Sequence, residues 1–88
     1  MEVKDLRYFI AVYETRNFLR ASVALNTVQS NVSARIRKLE QLFGTTLFER
    51  HRRGAAPTAK GDHFYRYAKR VIELVDEAAV RMRNEKAA

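Results

Sequence analysis

Five residues in one short stretch, Gln29, Ser30, Ser33, Ala34 and Arg37, have side chains suited to reading the edges of base pairs. On a helix advancing about 100° per residue, Val32, Ile36, Leu39 and Phe43 form one apolar stripe. Ser30, Ala34, Arg37 and Gln41 then point the opposite way, with Gln29 and Ser33 on one flank and Asn31 and Lys38 on the other. A solvated helix face normally carries Lys and Glu; this one begins with short uncharged donors and acceptors. In the major groove of duplex DNA, glutamine pairs with adenine N6 and N7, serine serves as donor or acceptor, and alanine meets a thymine methyl. Arginine forks onto guanine O6 and N7. Serine near a helix start is also ordinary capping chemistry, so the charge around this face decides between the two readings.

That charge is concentrated. The chain has 88 residues, a formal net charge of +7 and a pI near 10.3. Residues 35–53 hold six basic side chains against two acidic ones, a balance of +4, while residues 1–34 balance to +1 and residues 54–88 to +2. Arg35, Lys38, Arg50, Arg52 and Arg53 fall in this window, and Arg20 lies just upstream. Phosphate contacts, which position a protein on DNA without reading it, use such residues. A basic window of this kind is the electrostatic footprint of a polyanion partner.

Other classes of function find no support. There is no cysteine, hence no disulfide framework and no thiolate metal site. His51 and His63 stand apart without further ligands, so no metal or other cofactor is expected. No carboxylate pair, Ser/His/Asp set or glycine-rich phosphate loop is present, and an enzyme is not expected. Charges at positions 2, 4, 5 and 7 argue against a signal peptide, and no apolar run reaches membrane-spanning length. The expected compartment is the cytoplasm, with no membrane partner. One small domain of this length has a single layer of helix packing for a core.

The elements that must position the polar face can be read in order. Asp5 to Thr15 has Leu6, Phe9, Ile10 and Tyr13 on one side of a helix, with Val3 and Val12 able to extend it. Asn17 suits the N-cap of a short second helix, Phe18 to Asn26. Its Ala21 and Ser22 let a neighbouring helix come close. The third helix spans Gln29 to Phe43 and ends at Gly44. Thr45 to Thr58 then reads as a strand, a basic glycine-containing turn and a second strand closed by Pro57. Leu47 and Phe48 are expected to anchor this hairpin, with Arg50, Arg52 and Arg53 projecting as a wing on phosphates or the minor groove. The fold class is therefore mainly α with a small β-hairpin: a winged helix-turn-helix over residues 1–58, then a long helix over 59–88.

The long helix carries Phe64, Ala68, Val71, Val75, Ala78 and Met82 at alternating spacings of four and three, the rhythm of a coiled-coil seam. Residues 59–83 alone span roughly 37 Å at 1.5 Å per residue, more than so small a domain can cover. The expected partner for the remainder is a second copy, giving a helix-mediated homodimer.

With these residues in view, the chain resembles the N-terminal DNA-binding domain of LysR-type transcriptional regulators over essentially its whole length. The resemblance rests on Leu6-Arg7-Tyr8-Phe9, Phe18, Ala21, Leu25, Gln29-Ser30, Val32-Ser33, Ile36, Leu39-Glu40 and Leu42. It continues through Gly44, Leu47-Phe48, Arg50, Thr58 and Gly61. It implies a winged helix-turn-helix whose third helix reads bases through Gln29, Ser30 and Ser33, with Lys38, Arg50 and Arg53 on the DNA backbone. It further implies a linker helix that pairs with its twin, a higher oligomer in the full-length regulator, and a small-molecule effector bound by a C-terminal domain absent from this chain. Val28 stands where the family carries a capping Ser or Thr, Ser30 where it often carries Pro, Leu19 at a usually polar position, and Pro57 at a usual Leu. Thr27 and Asn17 are the expected replacement caps. The expected function is sequence-specific binding of double-stranded DNA in transcription regulation. Its competitor is a winged-helix assembly module with only non-specific DNA affinity.

Overall fold

The computed structural model describes residues 1–84. Its elements are α1 (Val3–Thr15), α2 (Phe18–Ala24), α3 (Gln29–Phe43), β1 (Phe48–His51), β2 (Gly54–Pro57) and α4 (Ala59–Asn84). The strands pair antiparallel, with Phe48 opposite Pro57 and His51 opposite Gly54. The expected architecture is present, and α3 has the expected bounds. The last four residues of the 59–88 segment lie outside the described residues.

Local chemistry explains where the other boundaries moved. The α1 helix opens at Val3 rather than Asp5, because Glu2 is its N-cap and its N–H donates to Oδ2 of Asp5 at 2.8 Å, the reciprocal half of a capping box. The α2 helix closes at Ala24, short of Asn26, whose φ of 55° is left-handed and turns the chain toward α3. Asn17 caps α2 as expected, its Oδ1 accepting from the Arg20 N–H at 2.9 Å. Thr27 does not cap α3. Val28 is the N-cap without a side-chain bond, and Thr27 Oγ1 accepts from Asn31 Nδ2 at 3.0 Å instead.

The core lies between α1, α3, the wing and the first half of α4. Phe9 is fully buried, with its ring centroid 5.2 Å from that of Phe48 and 4.8 Å from that of Phe64. One aromatic side chain thus ties α1 to the wing and to α4. Leu47 and Phe48 are buried and anchor the hairpin as the sequence suggested. Two expectations about the core fail at its edges. Val3 is exposed at the start of α1, and Phe43 is 40% exposed at the rim, with its ring centroid 5.0 Å from that of Phe64.

The wing and α4 are fixed by polar groups as well. Glu40 Oε2 accepts from the N–H groups of Leu47 and Phe48 at 2.7 and 3.3 Å. Thr58 Oγ1 donates to Thr46 O at 2.7 Å and accepts from the Gly61 N–H at 3.0 Å, capping α4. Gly61 passes so near the chain before β1 that a Cβ there would lie 2.2 Å from Leu47 O.

Along α1, the helix α4 makes a run of contacts. Tyr13 and Tyr65 stack with centroids 3.9 Å apart and planes 8° apart. The Tyr13 hydroxyl donates to Asp62 at 2.7 Å and that of Tyr65 to Glu14 at 2.6 Å. Lys69 pairs with Glu14 and Arg7 with Asp76. Each acceptor carboxylate opposes ionisation of the phenol bonded to it, so both tyrosines sit above their ordinary pKa.

The expected seam on α4 is divided by this packing. Ala68 is 1% exposed and belongs, with Ile72, to the chain's own core. Phe64 is packed against that core, and Val75 is half-buried. Val71, Ala78 and Met82 remain outside, and Tyr67 and Leu74 join them. At about 100° per residue the outward stripe of Tyr67, Val71, Leu74 and Ala78 is turned about 110° from the line of Ala68 and Ile72. A single helix therefore serves two apolar surfaces, one of them uncovered.

Candidate nucleic-acid interface

The N-terminal half of α3 stands clear of the domain. Gln29, Ser30, Ala34 and Arg37 are exposed, while Val32, Ile36 and Leu39 on the opposite side are buried. With Ser33 and Arg50 they line one shallow concavity. The sequence-predicted base-reading set is therefore brought together on one face. Asn31, on the flank toward α1, is instead half-buried and donates to the Tyr8 hydroxyl at 3.1 Å.

Ser33 is half-buried and already engaged. Nη1 of Arg50 donates to its Oγ at 3.1 Å, and the Arg50 Cζ lies 4.0 Å from the centroid of the Phe18 ring. Arg50 leaves β1 and crosses toward α2 and α3, so the wing and the polar helix share a side chain. Phe18 serves the interface as well as the core. Its ring is buried edge-on to Phe48 at 6.1 Å, and its free face is the platform for Arg50.

The remaining cations divide by neighbour. Arg52 and Arg53 are exposed at the wing turn, where the Arg53 N–H donates to His51 Nδ1 at 3.3 Å. Arg52 borders a second concavity with Asn17, Phe18, Leu19, Gln29 and Arg50. Arg20 is exposed in the first turn of α2, and Lys38 is exposed at the edge of α3 beside Glu2 and Asp5.

Arg35 is the exception among the expected backbone contacts. It lies toward α1, its Nη1 donating to Asp5 Oδ1 at 2.7 Å and its Cζ lying 5.0 Å from the Tyr8 ring centroid. Its position on α3, well round from Ser30, puts it against α1 rather than solvent. Although burial alone raises the Asp5 carboxyl, the Glu2 N–H and the Arg35 guanidinium together hold it below its ordinary pKa. The hydrogen bond to Asp5 raises Arg35 in turn. The partner that engages Arg35 is thirty residues away, and nothing near Arg35 in the sequence signals it.

An exposed polar helix packed on two others, with a basic two-stranded wing beside it, is a winged helix-turn-helix, an architecture found in the class of bacterial regulatory helix-turn-helix proteins. Residues 3–62 match the lysR family of that class, and the chain belongs to this family. It is similar to YusT of Bacillus subtilis (strain 168), an uncharacterized HTH-type transcriptional regulator, at 47% identity over 79 residues, covering 90% of this chain and 27% of YusT. BudR of Klebsiella aerogenes, an HTH-type transcriptional regulator, is 42% identical over 83 residues, covering 94% of this chain and 58% of BudR. The chain thus spans between about a quarter and three-fifths of these relatives. Among solved structures, the DNA-binding domain of CbnR in complex with DNA superposes with a TM-score of 0.88 at 37% identity, covering 94% of this chain and 95% of that one. The DNA-binding domain of BenM in complex with benA site 1 DNA gives 0.88 at 36%, covering 94% and 93%.

Proposed function

We propose that this chain binds double-stranded DNA sequence-specifically, as the DNA-binding part of a LysR-type transcriptional regulator. The N-terminal half of α3 enters the major groove, where Gln29, Ser30, Ala34 and Arg37 meet base edges. Arg50, Arg52 and Arg53 on the wing, with Arg20 and Lys38 flanking, hold the phosphates or the minor groove. Arg35 is left out of this set because its guanidinium is committed to Asp5. The observation that carries the reading is the exposed face of short polar side chains on α3 set directly beside the arginine-bearing wing. CbnR and BenM domains of the same fold have been solved on DNA, which supports it.

The working form is a homodimer joined through the outer face of α4, where Leu74 is 63% and Met82 70% exposed. Uncovered apolar side chains in a helical row call for a second surface. The action is non-enzymatic and cytoplasmic; among the described residues no helix is long and apolar enough to cross a membrane. In the full-length regulator, a C-terminal domain takes a small-molecule effector and supports a higher oligomer. Selection of bound duplexes from a random pool tests the core of this reading. The expected product is a two-fold related pair of half-sites at fixed spacing. Recovery of duplexes without an enriched sequence would favour an assembly module with only non-specific affinity.

A further inference from the structure

We infer that Ser33 acts through Arg50, as a positioning residue that locks the wing to α3, rather than as a reader of bases. The inference deepens the proposed function and rests on it. Arg50, like Gln29, borders both concavities of the interface, the one along α3 and the one between α2 and the wing, and of the two it alone comes from the wing. Its guanidinium is held in two ways. The Phe18 ring, itself fixed in the core against Phe48, takes one flat face at 4.0 Å, and Ser33 Oγ accepts from Nη1 at 3.1 Å. A guanidinium has five N–H donors in a rigid fork, so these contacts fix its plane and leave most of its donors for a phosphate oxygen. Fixing the plane in advance removes the ordering that a free arginine undergoes on binding.

The arrangement also sets where the wing sits. Arg50 is paired with Ala55 across the hairpin, and Ala55 donates to Arg16 O at 2.9 Å. The wing is therefore tied, one pair short of its turn, to the end of α1 on one side and, through Arg50 and Ser33, to the polar face of α3 on the other. Ser33 lies on the α3 flank nearest the wing and is half-buried under Arg50, whereas Gln29, Ser30, Ala34 and Arg37 are open. Its acceptor serves the protein before any DNA arrives.

A double-mutant cycle on duplex affinity tests this, run on a selected duplex and on random DNA over a range of salt, with circular dichroism to verify folding. Arg50 is exposed, and Ser33, half-buried beneath it, is outside the core, so Ser33→Ala and Arg50→Ala are expected to fold. Arg50→Ala should weaken binding to both duplexes and lower the slope of log affinity against log salt by about 1. Ser33→Ala should weaken both duplexes alike, by ~3- to 10-fold, the range for one hydrogen bond. In the Arg50→Ala background it should have no further effect. Arg50→Lys should keep the salt slope yet lose affinity, because an ammonium cannot lie flat on Phe18. A changed preference between the duplexes in Ser33→Ala, additive losses in the double variant, or wild-type affinity in Arg50→Lys would each overturn the inference. If the unaltered chain binds no duplex at low salt, the DNA reading itself falls, and this inference with it.

Discussion

Arg35 on α3 donates from Nη1 to Oδ1 of Asp5 on α1 at 2.7 Å, and this pair takes one cation of the basic window out of the DNA-facing set. The Asp5 side chain is only 10% exposed and Arg35 25%, so the pair is shielded more than a surface ion pair, and removing one partner strands the other.

Asp5→Asn should therefore destabilise the fold by about 1–3 kcal/mol at neutral pH, measured by urea unfolding. The folded-state pKa of Asp5 is depressed. Its contribution is thus full above the unfolded-state value of about 3.9 and is lost as pH falls through the lower folded value. The gap between the variant and the parent should close in strong acid. An equal gap at neutral and strongly acidic pH would show that charge is not what Asp5 contributes.

Gln29→Ala should relax sequence preference while leaving general DNA affinity largely in place. A lost bidentate contact to a base is worth about 1–3 kcal/mol of discrimination. Competition between a selected duplex and random DNA measures it, and an unchanged ratio would remove Gln29 from the base-reading face.

Arg52→Ala and Arg53→Ala should weaken all duplexes alike, each lowering the salt slope by about 1. Selective loss at one base position would move that arginine from the backbone into the minor groove.

The two faces of α4 should separate in two variants. Leu74→Lys places a charge on the outward stripe and should give a folded monomer by analytical ultracentrifugation. Ile72→Ala, on the inward line beside Ala68, should instead cost about 2–5 kcal/mol of stability. An assembly state indifferent to Leu74→Lys would reject the outward stripe as the dimer surface.

Gly61→Ala should destabilise, although alanine in a helix is ordinarily favoured over glycine by about 1 kcal/mol. The added Cβ would meet Leu47 O at 2.2 Å, and relieving such overpacking typically costs about 1–3 kcal/mol. A rise in thermal midpoint would mean that the chain before β1 gives way freely.

The helices and the face of α3 were legible in the sequence because both depend on periodicity within a single element. Val32, Ile36 and Leu39 mark the buried side of α3, and Ser30, Ala34 and Arg37 then have to be open. The hairpin was legible through its strand formers, its glycine and the proline that closes it. Periodicity was less informative at the ends of the stripes. Val3 and Phe43 lie in register with buried residues, yet each stands at a helix end where too few neighbours reach it.

By itself, the sequence determined an amphipathic helix-turn-helix with a basic wing, the identity of the polar face, and an α4 too long for its domain. The tertiary structure decided what each side chain on those elements meets. It gave Arg35 to Asp5, Ser33 and Phe18 to Arg50, and Ala68 to the chain's own core, leaving Tyr67, Val71 and Leu74 outward. The physical reason is distance along the chain. Which face is apolar follows from neighbours three and four residues away, but a guanidinium's partner arrives from an element 17 or 30 positions off, brought there only by the packing of the whole domain.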